Sequence, residues 1–246
     1  MASQPSHSYL LADVHLQPDT HHPINQAFIK FINQQAQQAD SVYILGDLFE
    51  TWVGDDLSIP IYQLEINALK ALTKAGTKLY IGYGNRDFLM RQAFWQATGA
   101  EFIEDECVTQ IQGVDCLLLH GDSLCTDDKD YQRMRKWFRK SWVQWLFLHL
   151  PKKTRLKIAQ KLRQESGKHA QYKQADIMDV SIQAVETLYA RHPQIEHVIH
   201  GHTHRPAHHH FMLNGVEKQR WVLGDWRPET EIIKIANQKI NSIKFV

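Results

Sequence analysis

Short apolar runs alternate with helical patterns along the first half of the chain. Residues 8–15 (SYLLADVH) read as a buried strand ending in polar residues, 41–47 (SVYILGD) as a second, and 78–85 (KLYIGYGN) as a third. Between them, Ile24, Phe28, Phe31 and Ile32 share one face of a helix predicted over 24–39, and a second helix is predicted over 62–75, closed by Gly76. Further strands are predicted at 115–122 (DCLLLHGD) and 197–204 (HVIHGHTH), and the tail (RWVLGDW, EIIKIAN, KINSIKFV) reads as strands joined by short turns. Strand–helix–strand order at the front predicts an α/β core, and the β-rich tail predicts a second sheet.

The pattern changes between 125 and 192. Strand signal disappears, Gly167 is the one glycine, and helix formers dominate. Lysines and arginines crowd this stretch from Lys129 to Lys173, with Trp137, Phe138, Trp142, Trp145, Phe147 and Leu148 among them. This predicts one domain over 1–246, with its core in 1–124 and 193–246 and a helical cap inserted at about 125–192. The aromatics have two readings: the inner face of a helical insert, or an apolar cleft for a ligand.

Length supports this division, since 246 residues suit one large domain or one domain with a sizeable insertion. A formal net charge of +1 excludes a generic polyanion binder. Cys107, Cys116 and Cys125 form no C-x-x-C pair, which fits reduced thiols. The first residues lack a basic and long apolar leader, so no secretion signal is expected. The longest apolar run, 142–150, is far short of the ~20 residues a membrane-spanning helix needs.

Five short motifs change the picture from fold to chemistry: D-V-H at 13–15, G-D-L-F-E at 46–50, G-N-R-D at 84–87, H-G-D at 120–122 and G-H-T-H at 201–204. Each follows an apolar run, so the ligands are expected at the carboxyl ends of strands, where open α/β sheets place their sites. In D-x-H and H-x-H, alternation along an extended chain can turn both ligands to one side. The donors are carboxylate, imidazole and amide oxygen without thiolate, a set for Mn, Fe or Zn. Asp13, His15, Asp47, Asn85, His120, His202 and His204 are too many for one catalytic ion and suit two. Two ions ~3.5–4 Å apart acidify a shared water and clamp a phosphoryl group. His7, His21, His22 and His208–His210 are expected to lie outside this set.

The set D-x-H, G-D-x-x-E, G-N-[HR]-[DE], H and G-H-x-H resembles the calcineurin-like metallophosphoesterases. The resemblance implies a four-layer α/β sandwich, two mixed sheets packed together with helices outside. It implies that Asp13, His15 and His204 hold one ion, that Asn85, His120 and His202 hold the other, and that Asp47 bridges. Residues 43–56 (YILGDLFETWVGDD), 84–89 (GNRDFL), 119–128 (LHGDSLCTDD), 177–180 (IMDV) and 200–207 (HGHTHRPA) resemble one branch of that family. That branch cleaves UDP-2,3-diacylglucosamine in lipid A biosynthesis of Gram-negative bacteria. It implies water attack on the α-phosphorus to give UMP and 2,3-diacylglucosamine 1-phosphate, with Mn2+ as metal. It also implies headgroup contacts from Asn85, Arg86, Asp128, Arg163, Ser166, Lys173 and His202, no nucleic-acid partner, and a monomer bound peripherally to the anionic cytoplasmic face of the inner membrane. Two positions depart from the family's pattern. Tyr83 stands where histidine is common, and Ala170 where a small polar residue is expected.

Arg86 agrees with this independently. Many relatives carry histidine after G-N, available as a proton donor, whereas arginine is a poor acid and a good bidentate phosphate ligand. A phosphoanhydride leaves as phosphate and needs little protonation. A structural alternative for Arg86 is an ion pair with Asp87. The cap agrees too, because two acyl chains at ~0.8 kcal/mol per buried methylene repay a dedicated apolar cleft. The residues leave open a second reading, another phosphodiesterase or nuclease of the same family, and a third, a metal-binding scaffold without chemistry.

Overall fold

The computed structural model describes residues 6–172, 179–227 and 230–245, with the side chains of 166–172 outside the description. In chain order the strands and helices are β1 (His7–Leu11), α1 (Pro23–Gln34), β2 (Ser41–Ile44), α2 (Asp55–Ile61), α3 (Gln63–Lys74), β3 (Lys78–Gly82), α4 (Gln92–Thr98), β4 (Glu101–Ile103), β5 (Cys107–Ile111) and β6 (Val114–Leu119). They continue as α5 (Lys129–Phe138), α6 (Ser141–Leu148), α7 (Lys152–Tyr172), α8 (Ile182–Arg191), β7 (His197–His200), β8 (Ala207–Leu213), β9 (Val216–Val222), β10 (Thr230–Ala236) and β11 (Lys239–Phe245).

Two mixed sheets form, ordered β11-β10-β1-β2-β3-β4 and β5-β6-β7-β9-β8. β1, β2, β3 and β4 run parallel, each joined to the next through a helical crossover. In the second sheet β6, β7 and β9 are parallel. Alternation along β1 explains the stacking. Tyr9 and Leu11 face the layer of α1, α3 and α4, packing with Phe28, Phe31, Ile32, Ile66 and Phe94. Leu10 and Ala12 face the other sheet, packing with Cys116, Leu118, Ile199 and Leu223. Outside the second sheet, Val185, Leu188 and Tyr189 of α8 cover Leu117, Leu119 and Val198. The result is the expected four layers, helix–sheet–sheet–helix. α8 therefore packs on the second sheet, although its sequence lies in the helical stretch 125–192.

α5, α6 and α7 are built differently. Among the described residues α5 and α6 bury no side chain, and Arg155 is the buried one in α7. Phe147 and Leu148 lean on the first core cluster, and Phe138 stacks on Phe88 at 6.5 Å between ring centres. Trp137, Trp142 and Trp145 stay exposed. Phe138, Phe147 and Leu148 thus pack against the core, and the three tryptophans lie at the surface. The attachment is polar: Arg155 donates to the Val53 carbonyl at 2.7 Å and to both oxygens of Asp56 at 2.8 and 2.6 Å. Gly54 permits this approach, since its φ is +111° and a Cβ there would meet the Arg155 guanidinium at 2.5 Å.

Two expected features are corrected. β1, β2, β3, β6 and β7 stop at Leu11, Ile44, Gly82, Leu119 and His200, before the ligands that the extended reading placed on them. Asp13 and His15 have φ of 52° and 53°, and His202 and His204 have 72° and 55°. They reach one site through left-handed backbone, not by alternation along a strand.

Candidate metal centre

Ten non-glycine residues have positive φ among the described residues, and Asp13, His15, Asp47, His202 and His204 are five of them. The other five, Glu106, Gln112, Asn214, Asn237 and Gln238, lie in turns between strands. Left-handed backbone in a residue with a Cβ is costly, about 1–3 kcal/mol, and persists where surroundings enforce it. Here the enforcement is hydrogen bonding between loops. Asp13 N–H donates to Gly46 at 3.1 Å, His15 N–H to Asp47 at 3.0 Å and Leu16 N–H to Leu48 at 3.0 Å. His202 N–H donates to Asp13 Oδ2 at 2.7 Å, and Arg86 N–H to Asp47 Oδ1 at 2.9 Å. Gly84 must be glycine for contact, because a Cβ would overlap the Asp47 carboxylate.

The remaining oxygens and ring nitrogens converge. Asp13, His15 and His204 form one group of ligand atoms within 4.8 Å of one another, and Asp13, Asp47 and His120 form another. Asp47 Oδ2 stands 3.9 Å from both His15 Nε2 and His120 Nε2. His120 Nδ1 donates to the Leu45 carbonyl at 2.8 Å, leaving Nε2 to face Asn85 Oδ1 at 3.1 Å. His202 lies beside it, with 5.0 Å between the two rings. All seven candidate ligands are therefore brought together.

The donor set fits divalent ions. His15 Nε2 and His204 Nε2 face each other at 3.3 Å, and the buried Asp13 Oδ1 stands 3.4 Å from His204 Nε2 and 4.0 Å from His15 Nε2. A buried carboxylate oxygen and two imidazole nitrogens turned towards one another are what a cation completes. The electrostatics agree. Burial opposes ionisation of Asp13, but the His204 hydrogen bond and the charges of His120, His204 and His15 outweigh it and hold the carboxyl at about 2. Burial likewise opposes protonation of His120, yet the carboxylate charge of Asp47, Asp13 and Asp122 raises it to about 9; the same charge favours a divalent cation, which would displace that proton on binding. Burial and the neighbouring His120 push His202 down to about 4, so its ring is neutral.

Arg86 does not pair with Asp87. Its Nη1 donates to Glu50 Oε1 at 2.6 Å and its Nε stands 3.8 Å from Asp47 Oδ2. Asp87 instead accepts the Leu48 and Gly84 N–H groups at 2.7 and 2.8 Å, fixing the loop, while burial and then Asp47 push its carboxyl up to about 6. Arg163 of α7 also reaches Glu50, at 3.0 Å. Asp128 caps α5, its Oδ1 accepting the Tyr131 N–H at 3.1 Å. The Ser166 side chain and Lys173 lie outside the described residues. Tyr83 donates its hydroxyl to the Met90 carbonyl at 2.7 Å, a loop contact. His208–His210 lie on exposed β8 and join neither group of converging ligand atoms.

Three residues at the site escaped sequence reading. Tyr131 stacks on His202 at 5.9 Å and donates to Asp122 Oδ2 at 3.0 Å, which also accepts from Arg135 Nε at 2.7 Å. Arg139 donates to the Gly84 carbonyl at 2.8 Å. Tyr131, Arg135 and Arg139 recur every four residues, a helix-face signal that was available.

Left-handed ligand loops at the carboxyl ends of two packed mixed sheets define a metal-dependent phosphoesterase. The calcineurin-like phosphoesterase model matches residues 8–206, and the chain belongs to that family. UDP-2,3-diacylglucosamine hydrolase of Serratia proteamaculans is 44% identical over 235 residues, covering 96% of this chain and 97% of that protein. The protein of the same name from Tolumonas auensis is 44% identical over 234 residues, covering 95% and 94%. Among solved structures, a dimetal phosphatase from Danio rerio aligns over 98% of this chain and 99% of its own, with a TM-score of 0.50 at 12% identity, a likeness of fold alone.

Proposed function

We propose that this chain hydrolyses UDP-2,3-diacylglucosamine to UMP and 2,3-diacylglucosamine 1-phosphate, using two divalent ions, Mn2+ first among them. The carrying observation is full-length similarity at 44% identity to proteins of that named activity, cap as well as core. The site supports it. Asp13, His15 and His204 would hold one ion and Asn85, His120 and His202 the other, with Asp47 Oδ2, equidistant from His15 and His120, between them. When bound, the ions supply a water acidified to near ~7 and withdraw charge from the phosphoryl oxygens. The water oxygen joins the α-phosphorus and ends in UMP, and the P–O bond to the sugar phosphate breaks. The leaving phosphate needs little help from a proton donor, which suits Arg86 as a charged fork on the diphosphate.

Arg163, Asp128, Ser166 and Lys173 are proposed as headgroup contacts with Asn85, Arg86 and His202. Exposed Trp137, Trp142 and Trp145, with Lys140 5.1 Å over the Trp137 ring, suit an anionic lipid surface. Among the described residues no helix is long and apolar enough to cross a membrane. The cytoplasmic face of the inner membrane is the proposed location, and association there is peripheral.

The test is direct. Chelated protein given Mn2+ should release UMP from detergent-dispersed UDP-2,3-diacylglucosamine and leave dinucleotides and oligonucleotides intact. Rapid oligonucleotide cleavage with no UMP release would replace this reading with a nuclease.

A further inference from the structure

Glu50 is a buried carboxylate beside the metal centre that belongs to neither group of converging ligand atoms. Its backbone is fixed, its N–H donating to the Leu16 carbonyl at 3.0 Å beside the Leu16–Phe49 bridge. Its Oε1 takes two guanidiniums, Arg86 Nη1 at 2.6 Å from the core and Arg163 Nη2 at 3.0 Å from the cap. Its Oε2 stands 3.2 Å from His15 Nδ1, off the line of a good hydrogen bond.

Two guanidiniums on one carboxylate oxygen are under-neutralised. Each can donate a parallel pair of N–H bonds, and one shared oxygen cannot receive two such pairs. A diphosphate can, since it offers several oxygens and more than one negative charge. Without Glu50 the two cations would repel each other across the mouth of the site.

We propose that Glu50 is a positioning residue that gathers Arg86 and Arg163 at the mouth of the metal centre and yields both to the substrate diphosphate. It links core to cap before substrate arrives, and it acts on substrate through the two arginines. This rests on the diphosphate-hydrolase reading above.

A double-mutant cycle tests it. Glu50→Gln keeps the shape and removes the charge. It is expected to bind two Mn2+ per chain as the parent does, and to raise KM about tenfold with kcat changed by less than about threefold. Arg163→Ala should raise KM about tenfold in the parent and only about twofold in the Glu50→Gln background, because the two act through one contact. Glu50→Asp should restore part of the loss. Amide exchange across 152–165 in substrate-free protein should quicken in Glu50→Gln, and this readout needs no turnover. Additive losses, or loss of an ion with collapse of kcat at unchanged KM, overturn the proposal. A parent protein that releases no UMP would instead refute the hydrolase reading, while exchange and Mn2+ content would still report on the Glu50 latch.

Discussion

The core and the cap both carry tryptophan, and they treat it in opposite ways. Trp226 is 2% exposed, edge-on to Phe28 and Phe31 at 5.7 and 5.4 Å, and it packs beside Phe245. Trp142 and Trp145 are 54% and 61% exposed on a helix that buries none of its residues. The core thus has the apolar mass to anchor the loops whose mutual hydrogen bonds hold five candidate ligands in left-handed backbone. The cap contributes side chains such as Tyr131, Arg139 and Arg163 through polar contacts and a few leaning aromatics. The candidate metal ligands stand on the part with the apolar core; the part that carries its apolar side chains outward supplies Tyr131, Arg139 and Arg163 around them.

The largest test of that division is at Asp47. Asp47→Ala should lose at least one ion and on the order of 10³-fold or more in turnover, since it removes the charge between the two ligand groups. Arg86→Ala should keep both ions and lose less, on the order of 10²-fold. Metal content by atomic emission, with UMP release, reads both. Two ions retained in Asp47→Ala would refute the bridging assignment.

Much of this centre was legible, and the reason is chemical. Seven candidate ligands of three types at five strand ends form a pattern that few other functions need, and the parallel strands that carry them are continuous apolar runs. The path of the backbone was not legible. Asp13 and His15 look like alternating strand residues, and only the interlocking of the Gly46–Leu48 and Asp13–Leu16 backbones shows the left-handed turn. β4 and β5 were missed because both are edge strands with exposed positions, so Glu101–Ile103 and Cys107–Ile111 lack a buried run. α8 could not be told from the basic helices before it by composition. Its Val185, Leu188 and Tyr189 are an ordinary amphipathic stripe, and only the second sheet makes them core. Glu50 stood inside a recognised motif, yet its partner Arg163 lies 113 positions away in the chain.

A matched pair of truncations sharpens the contrast at intermediate size. Trp226→Ala should destabilise the protein by about 3–5 kcal/mol, the cost of a large aromatic cavity. Trp145→Ala should stay within about 0.5 kcal/mol, as surface changes do. Thermal and urea melts measure this. On vesicles containing anionic lipid the ranking should invert, with Trp145→Ala binding more weakly than the parent and a folded Trp226→Ala sample unchanged. If Trp145→Ala destabilises as much as Trp226→Ala, the cap has a core of its own and the comparison fails.

The smallest expected effect is at the hinge between the two regions. The hydrogen bonds from Arg155, followed by its charge and that of Lys152, hold the Asp56 carboxyl below its usual value against a modest burial penalty. A depressed pKa means that the contact contributes fully above the unfolded-state value near ~4 and is lost as pH falls through the lowered folded value. Cap attachment should therefore be flat from about pH 5 to 8 and weaken in more acidic solution. Asp56 is half exposed, so the contact is screened and small. Asp56→Asn should speed amide exchange in 152–165 by no more than about fivefold at neutral pH. The ratio of variant to parent should shrink towards one as pH falls through that lowered value, because the parent's carboxyl then loses its charge as well. Arg155 keeps its bond to the Val53 carbonyl throughout, so the cap stays attached in both. A ratio that stays constant from neutral to acid pH would assign the effect to shape and not to charge, and would move the hinge from Asp56 to the Val53 carbonyl.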